Sequence, residues 1–217
     1  MVKSRDLLPA EFDSYDSVGK KITALAGAIV KGLWVDTGAD ALMHFIHSNR
    51  VFEDLEYAVE DWSEADLQIV VREYVDLKPQ QEWRGFVWDK KLNALGQYFH
   101  WLTFPELFGQ EKEIEEKVLA FFETVKADIP LDSYICDFAI NDGGRVILIE
   151  VNPFDGVFAS QPGSTGLFLW DDEADRKVLT EGPFELRIRK KDPPLPVLKT
   201  HIRRDWLDIV LPKKTFK

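Results

Sequence analysis

The apolar positions change period along the chain. Between residues 39 and 61, Leu42, Phe45 and Ile46, then Leu55 and Val59, fall at helical spacing. Ser48 and Asn49 interrupt this run, which predicts two helices with Ser48 as the N-cap of the second. The stretch before them, DSVGKKITALAGAIVKG at residues 16–32, mixes small and apolar residues and reads cleanly as neither helix nor strand.

From Leu67 β-branched residues take over. LQIVVREYVDL predicts a strand that ends before Pro79. EWRGFVWDKKLNALGQY predicts a hairpin about the polar turn Asp89–Lys91. The helical period returns in EKEIEEKVLAFFETVKADI, where Ile114, Val118, Phe122 and Val125 share a face. SYICDFAI, the turn NDGG and RVILIEVN then predict a second hairpin. Beyond Pro153 the chain reads as loop, with a short apolar LFLW, an acidic DDEAD, a last strand at FELRI and an extended, proline-rich KDPPLPV. Helices first, then strands with one helix between hairpins, make an α+β pattern with a mainly antiparallel sheet. Three regions are expected: a small N-terminal helical and strand lobe (1–66), a core lobe (67–190) and a basic, proline-rich tail (191–217).

Composition narrows the classes. No apolar run reaches membrane-span length, and MVKSRDLLPAEF lacks the apolar centre of a signal peptide. A single cysteine, Cys136, excludes an internal disulfide framework, so a cytoplasmic setting is expected. The net charge is −11 and is unevenly spread. Residues 187–217 hold ten Lys/Arg against three Asp/Glu, which leaves about −18 on the first 186 residues. So acidic a body argues against general nucleic-acid binding. The four histidines are scattered without a Cys–His cluster, which argues against zinc. There is no GxxxxGK[ST], so a P-loop is excluded.

The chemistry lies in the second hairpin. With the turn at Asn141–Gly144, Asp137 is expected opposite Leu148 and Ile135 opposite Glu150. Ile135, Asp137, Ala139, Leu148, Glu150 and Asn152 would then share one face, and Tyr134, Cys136, Phe138, Ile147, Ile149 and Val151 the core face. Asp137 and Glu150 would be diagonal neighbours, roughly 7–8 Å apart or less. Two carboxylates this close repel unless a cation lies between them, and oxygen ligands suit Mg²⁺. The other reading of the same positions is the wet face of a two-stranded ribbon. If the carboxylates only repel, replacing Asp137 or Glu150 by Ala should leave the fold intact.

Several stretches occur in the order of one known family. SNRVFEDL, VVREYVDLKPQQEWRGFV, LGQY, CDFAINDGGRVILIEVNPF and LFLW, over roughly residues 40–190, resemble motifs of the cell division cycle protein 123 family. The resemblance implies an ATP-grasp-like α+β fold with a short or incomplete N-terminal lobe, and ATP and Mg²⁺ as cofactors. It assigns Asp137, Glu150 and Asn152 to the metal. Arg72, Glu73, Tyr74 and Val75 would lie along the adenine, with the backbone of Tyr74 and Val75 bonding its edge, and Asp76 would accept from a ribose hydroxyl. Arg84 would reach a phosphate or else the acidic cluster; its other reading is a cross-strand ion pair with Glu82 or with a neighbouring strand. Lys3 resembles the lysine that neutralises phosphate charge. The implied function is an assembly chaperone for the translation initiation factor 2 complex, acting through its gamma subunit. Two alternatives stay open: an ATP-grasp ligase or phosphotransferase that forms an acyl phosphate, and a paralogue that no longer binds nucleotide.

Overall fold

The computed structural model describes residues 7–61, 69–161, 163–202 and 204–211. Its centre is a five-stranded sheet in the order β4-β3-β1-β2-β5. β1 (Glu82–Trp88) and β2 (Lys91–Gln97) form the first expected hairpin. Asp89 and Lys90 turn it, both with positive φ (48° and 60°), as a two-residue hairpin turn requires. β3 (Tyr134–Ile140) and β4 (Val146–Pro153) form the second. Its loop closes on Asn141, whose Oδ1 accepts from the Arg145 amide at 2.9 Å. β3 also pairs with β1, which places the two hairpins side by side. The last strand, β5 (Glu185–Arg187), runs parallel to β2.

The register of the second hairpin differs from the expected one. Asp137 lies directly opposite Glu150, and Ile135 opposite Asn152. A bulge follows, and Phe138 then pairs with Leu148. The loop takes one residue more than expected, and Ile149 takes up the remainder as the bulged residue. The side chains beyond it change faces: Leu148 packs into the core with Phe138 rather than standing beside Glu150.

Helices cover one face of the sheet. α1 (Val18–Lys31) supplies Ile22, Leu25 and Ala26. The sequence pattern left this helix unread. Its signal is the cap: Ser17 Oγ accepts from the Lys20 amide at 3.2 Å. α2 (Gly38–Ile46) and α3 (Asn49–Asp61) are the expected pair, with Ser48 Oγ accepting from the Val51 amide at 3.3 Å. α4 (Glu111–Val125) buries Ile114, Val118 and Phe122. On the other face, the acidic run after LFLW becomes α5 (Glu173–Glu181), capped by Asp172 and buried through Leu179. In the proline-rich stretch, Pro194 caps α6 (Leu195–Thr200), and Pro196 sits in the first turn, where a missing amide costs nothing. With α7 (Arg204–Val210) it places Leu198, Ile202, Trp206 and Val210 in the main core, so these residues of the basic C-terminal region are packed.

The opposite face is only half covered. Phe86, Ala94, Ile135, Phe154, Ala159, Phe168 and Leu179 make a second, smaller core beneath the chain from Phe154 to α5. The other half of that face carries the polar cluster described below.

Residues 69–77 take no part in the sheet. In place of the expected strand there is a segment without regular secondary structure, whose Ile69, Val70 and Val71 are exposed. The nearest edge is β4, where the bulge spoils the ladder, and the Ile149 carbonyl accepts from the Arg72 side chain instead, at 2.8 Å.

Candidate functional site

Alternation along three neighbouring strands builds the site. Glu82 and Arg84 on β1 share the parity of buried Phe86, Asp137 on β3 that of Ile135, and Glu150 and Asn152 on β4 lie opposite Asp137 and Ile135. All five therefore point from the half-covered face. The pairing of Arg84 with Asp137, and of Asp137 with Glu150, sets these three residues in one row across the sheet.

Arg84 is the hinge of the cluster. Its Nε and Nη2 donate to the two oxygens of Asp137, each at 2.8 Å, a bidentate pair. Its Nη1 donates to the Ser164 carbonyl at 3.3 Å, and its guanidinium lies 4.8 Å from the Tyr98 ring centre. Of the two destinations the sequence left for Arg84, the structure shows the cross-strand ion pair with the acidic cluster. Asp137 is 2% exposed. Burial pushes its carboxyl up, Arg84 pulls it down, and Glu150 pushes it up again; the net direction is upward. Burial also works against the charge on Arg84, but the Asp137 carboxylate prevails and holds the guanidinium above its ordinary value.

Glu82 joins this group. Burial, then the charges of Asp137 and Glu150, push its carboxyl up to about 7. The sequence offered Glu82 only as an ion-pair partner for Arg84. Its place two residues before Arg84 on a strand was the signal that it shares the face. Ser164, in the loop that lies over Arg84, had no such signal, because only the tertiary fold returns that loop to β1.

Three carboxylates thus share this face with one guanidinium, which pairs with Asp137. Glu150 is exposed, and its Oε1 accepts from Asn152 Nδ2 at 3.0 Å. Each Asp137 oxygen, with one lone pair given to Arg84, keeps another. The donor set is all oxygen and carries excess negative charge, which fits a hard divalent cation such as Mg²⁺. Among the described residues no three His, Cys, Asp or Glu side chains are gathered closely enough to hold a metal alone. Such an ion would complete its shell with water or phosphate oxygens, as Mg²⁺ commonly does.

The remaining expected positions lie apart from this row, joined to it by Arg72 through the Ile149 carbonyl next to Glu150. Glu73 is exposed. The Tyr74 ring lies 6.0 Å from Trp34, and its hydroxyl donates to Asp76 at 3.4 Å. Val75 is at the surface, with its backbone outside the sheet. Lys3 lies outside the described residues.

Comparison with known proteins identifies the architecture. The solved structure of Cdc123 from Schizosaccharomyces pombe matches with a TM-score of 0.54 at 20% identity, covering 85% of this chain and 87% of that one. A C-terminally truncated form of the same protein matches with a TM-score of 0.53. The fold is therefore of the Cdc123 class, α+β and ATP-grasp-like. The D123 family profile matches residues 29–204, and the chain belongs to that family, the one its motifs resemble. A protein of Danio rerio described as "Translation initiation factor eIF2 assembly protein" is 28% identical over 69% of this chain and 46% of its own length. A Xenopus laevis protein of the same description is 24% identical over 84% of this chain and 58% of its own. The chain spans about half the length of these curated relatives.

Proposed function

We propose that the chain is an assembly factor for translation initiation factor 2 that binds ATP with Mg²⁺ on the open half of its sheet and engages the gamma subunit. One observation carries the nucleotide part: Asp137, Glu150 and Asn152 stand in register beside a half-buried arginine, on the polar part of that face where Glu150 is exposed. The names of the curated relatives support the assembly part. The setting that follows is the cytoplasm, and no helix among the described residues is long and apolar enough to cross a membrane.

In this reading Asp137, Glu150 and Asn152 hold the metal, which supplies charge neutralisation for the nucleotide phosphates. Arg84 balances Asp137 until a phosphate competes for its guanidinium. Arg72 fixes the edge of β4, and Tyr74, Val75 and Asp76 offer exposed surface and backbone to the base and ribose.

Calorimetric titration with ATP and Mg²⁺, beside ATP and EDTA, tests the site. Mg²⁺-dependent heat in the wild type, lost in Glu150→Gln and Asn152→Ala, is the expected result. Both replace surface-facing groups that carry no core contact, so equal binding by these variants would overturn the assignment. Retention of the purified gamma subunit tests the partner separately.

A further inference from the structure

The helical pair α2–α3 presents its apolar stripe to solvent. Along α3, Phe52, Leu55 and Val59 follow the i, i+3, i+7 spacing of a core-facing helix, yet Phe52 is 61% and Val59 84% exposed. α2 buries no residue, and its Leu42, Met43 and Ile46 are exposed, Ile46 at 72%. The two helices pack on one another, so their free apolar sides form one surface, extended by exposed Leu33 and Trp34 at the end of α1. An exposed apolar surface built by two neighbouring helices marks an interaction site.

Charge says what covers it. Residues 33–61 carry seven Asp/Glu against one Arg. On α3, Glu53 and Glu56 are exposed and alternate with the stripe, and exposed Asp36 stands between α1 and α2. An apolar row edged with carboxylates complements an apolar row edged with Lys and Arg, while an acidic or neutral apolar surface would leave these carboxylates opposed or unpaired. An apolar stripe on a pair of contacting helices takes a third helix most readily, by ridges-into-grooves packing. We infer that the α2–α3 surface is the docking site for a basic amphipathic helix of a client protein.

This inference is independent of the nucleotide site but rests on the assembly reading for the notion of a client. The probe is a fluorescein-labelled model helix of about five turns with Leu on one face and Lys on the other, read by anisotropy. Controls replace its Lys with Glu or scramble its order. The wild-type chain should bind the basic helix and neither control, with an affinity that falls as salt rises. Phe52→Ser/Leu55→Ser/Val59→Ser should weaken binding by about tenfold or more, since these side chains would lose buried apolar contact. Glu53→Lys/Glu56→Lys should weaken it and flatten its salt dependence. Because these side chains are exposed, circular dichroism and the melting temperature should stay at wild-type values.

Equal binding of the acidic helix, or unaltered binding by the triple variant, would overturn the inference. So would concentration-dependent dimerisation that the triple variant abolishes, which would assign the surface to a second copy of this chain. Gamma-subunit binding separates the two proposals. Wild-type affinity in the triple variant would leave the assembly reading intact and sink this surface, whereas no binding by the wild type would sink the assembly reading and leave the helix result standing.

Discussion

Two hairpins of this molecule, one of helices and one of strands, have equally regular apolar patterns and opposite fates. In β3 the alternate residues Tyr134, Cys136 and Phe138 are buried in the core to which α1 and α4 also contribute. In α3 the stripe Phe52, Leu55, Val59 faces water. Periodicity specifies an element and the side it will bury; it does not supply the surface that does the burying. The strand hairpin finds its partner within the chain, and the helical hairpin finds none among the described residues.

The sharpest way to break this contrast is to truncate one aromatic on each side. Phe138→Ala, at a position with no exposure, should cost about 3–5 kcal/mol in urea unfolding. The next largest effect belongs to the polar side of the same strand. Asp137→Ala leaves the half-buried Arg84 guanidinium without its bidentate carboxylate and should destabilise by about 3–5 kcal/mol. The sequence alone suggested that removing this charge relieves repulsion; the bidentate pair reverses that expectation. Arg84→Met/Asp137→Leu, which removes both charges at similar volume, should recover stability to within about 1 kcal/mol of wild type. Recovery would show that the pair is kept for binding rather than for folding.

A smaller effect concerns pH. The Glu82 carboxyl is raised from 4.5 to about 7, so the folded state retains a proton that the unfolded chain releases. Its contribution to stability is complete below pH 4.5 and is lost as pH rises to about 7. Glu82→Gln should remove this loss, on the order of 3 kcal/mol, from a stability profile over that range. His100 acts in the reverse sense. Burial, then the neighbouring His201 imidazole, lower it from 6.5 to about 4, so its contribution is complete above pH 6.5 and fades as pH falls toward 4. The smallest effect is Phe52→Ala, which should change stability by no more than about 0.5 kcal/mol. A loss as large as that of Phe138→Ala would mean that the stripe is already covered in solution.

The sequence by itself determined the elements whose signals are local. The paired helices with their Ser48 cap, the turn read at Asp89–Lys91, the amphipathic α4 and the two antiparallel hairpins are all written in period, caps and turn residues within a few positions of one another. It also determined that Asp137, Glu150 and Asn152 share a face, because alternation survives a change of pairing between those positions. Only the tertiary structure decided the rest. One more loop residue and the bulge at Ile149 set Asp137 directly against Glu150 and sent Leu148 to the core, and loop length is fixed by how the strands dock rather than by turn residues alone. The segment at 69–77 had strand composition but no regular edge to join. The bond from Arg84 to the Ser164 carbonyl spans most of the core lobe, and no local pattern records a contact between residues so far apart in the chain.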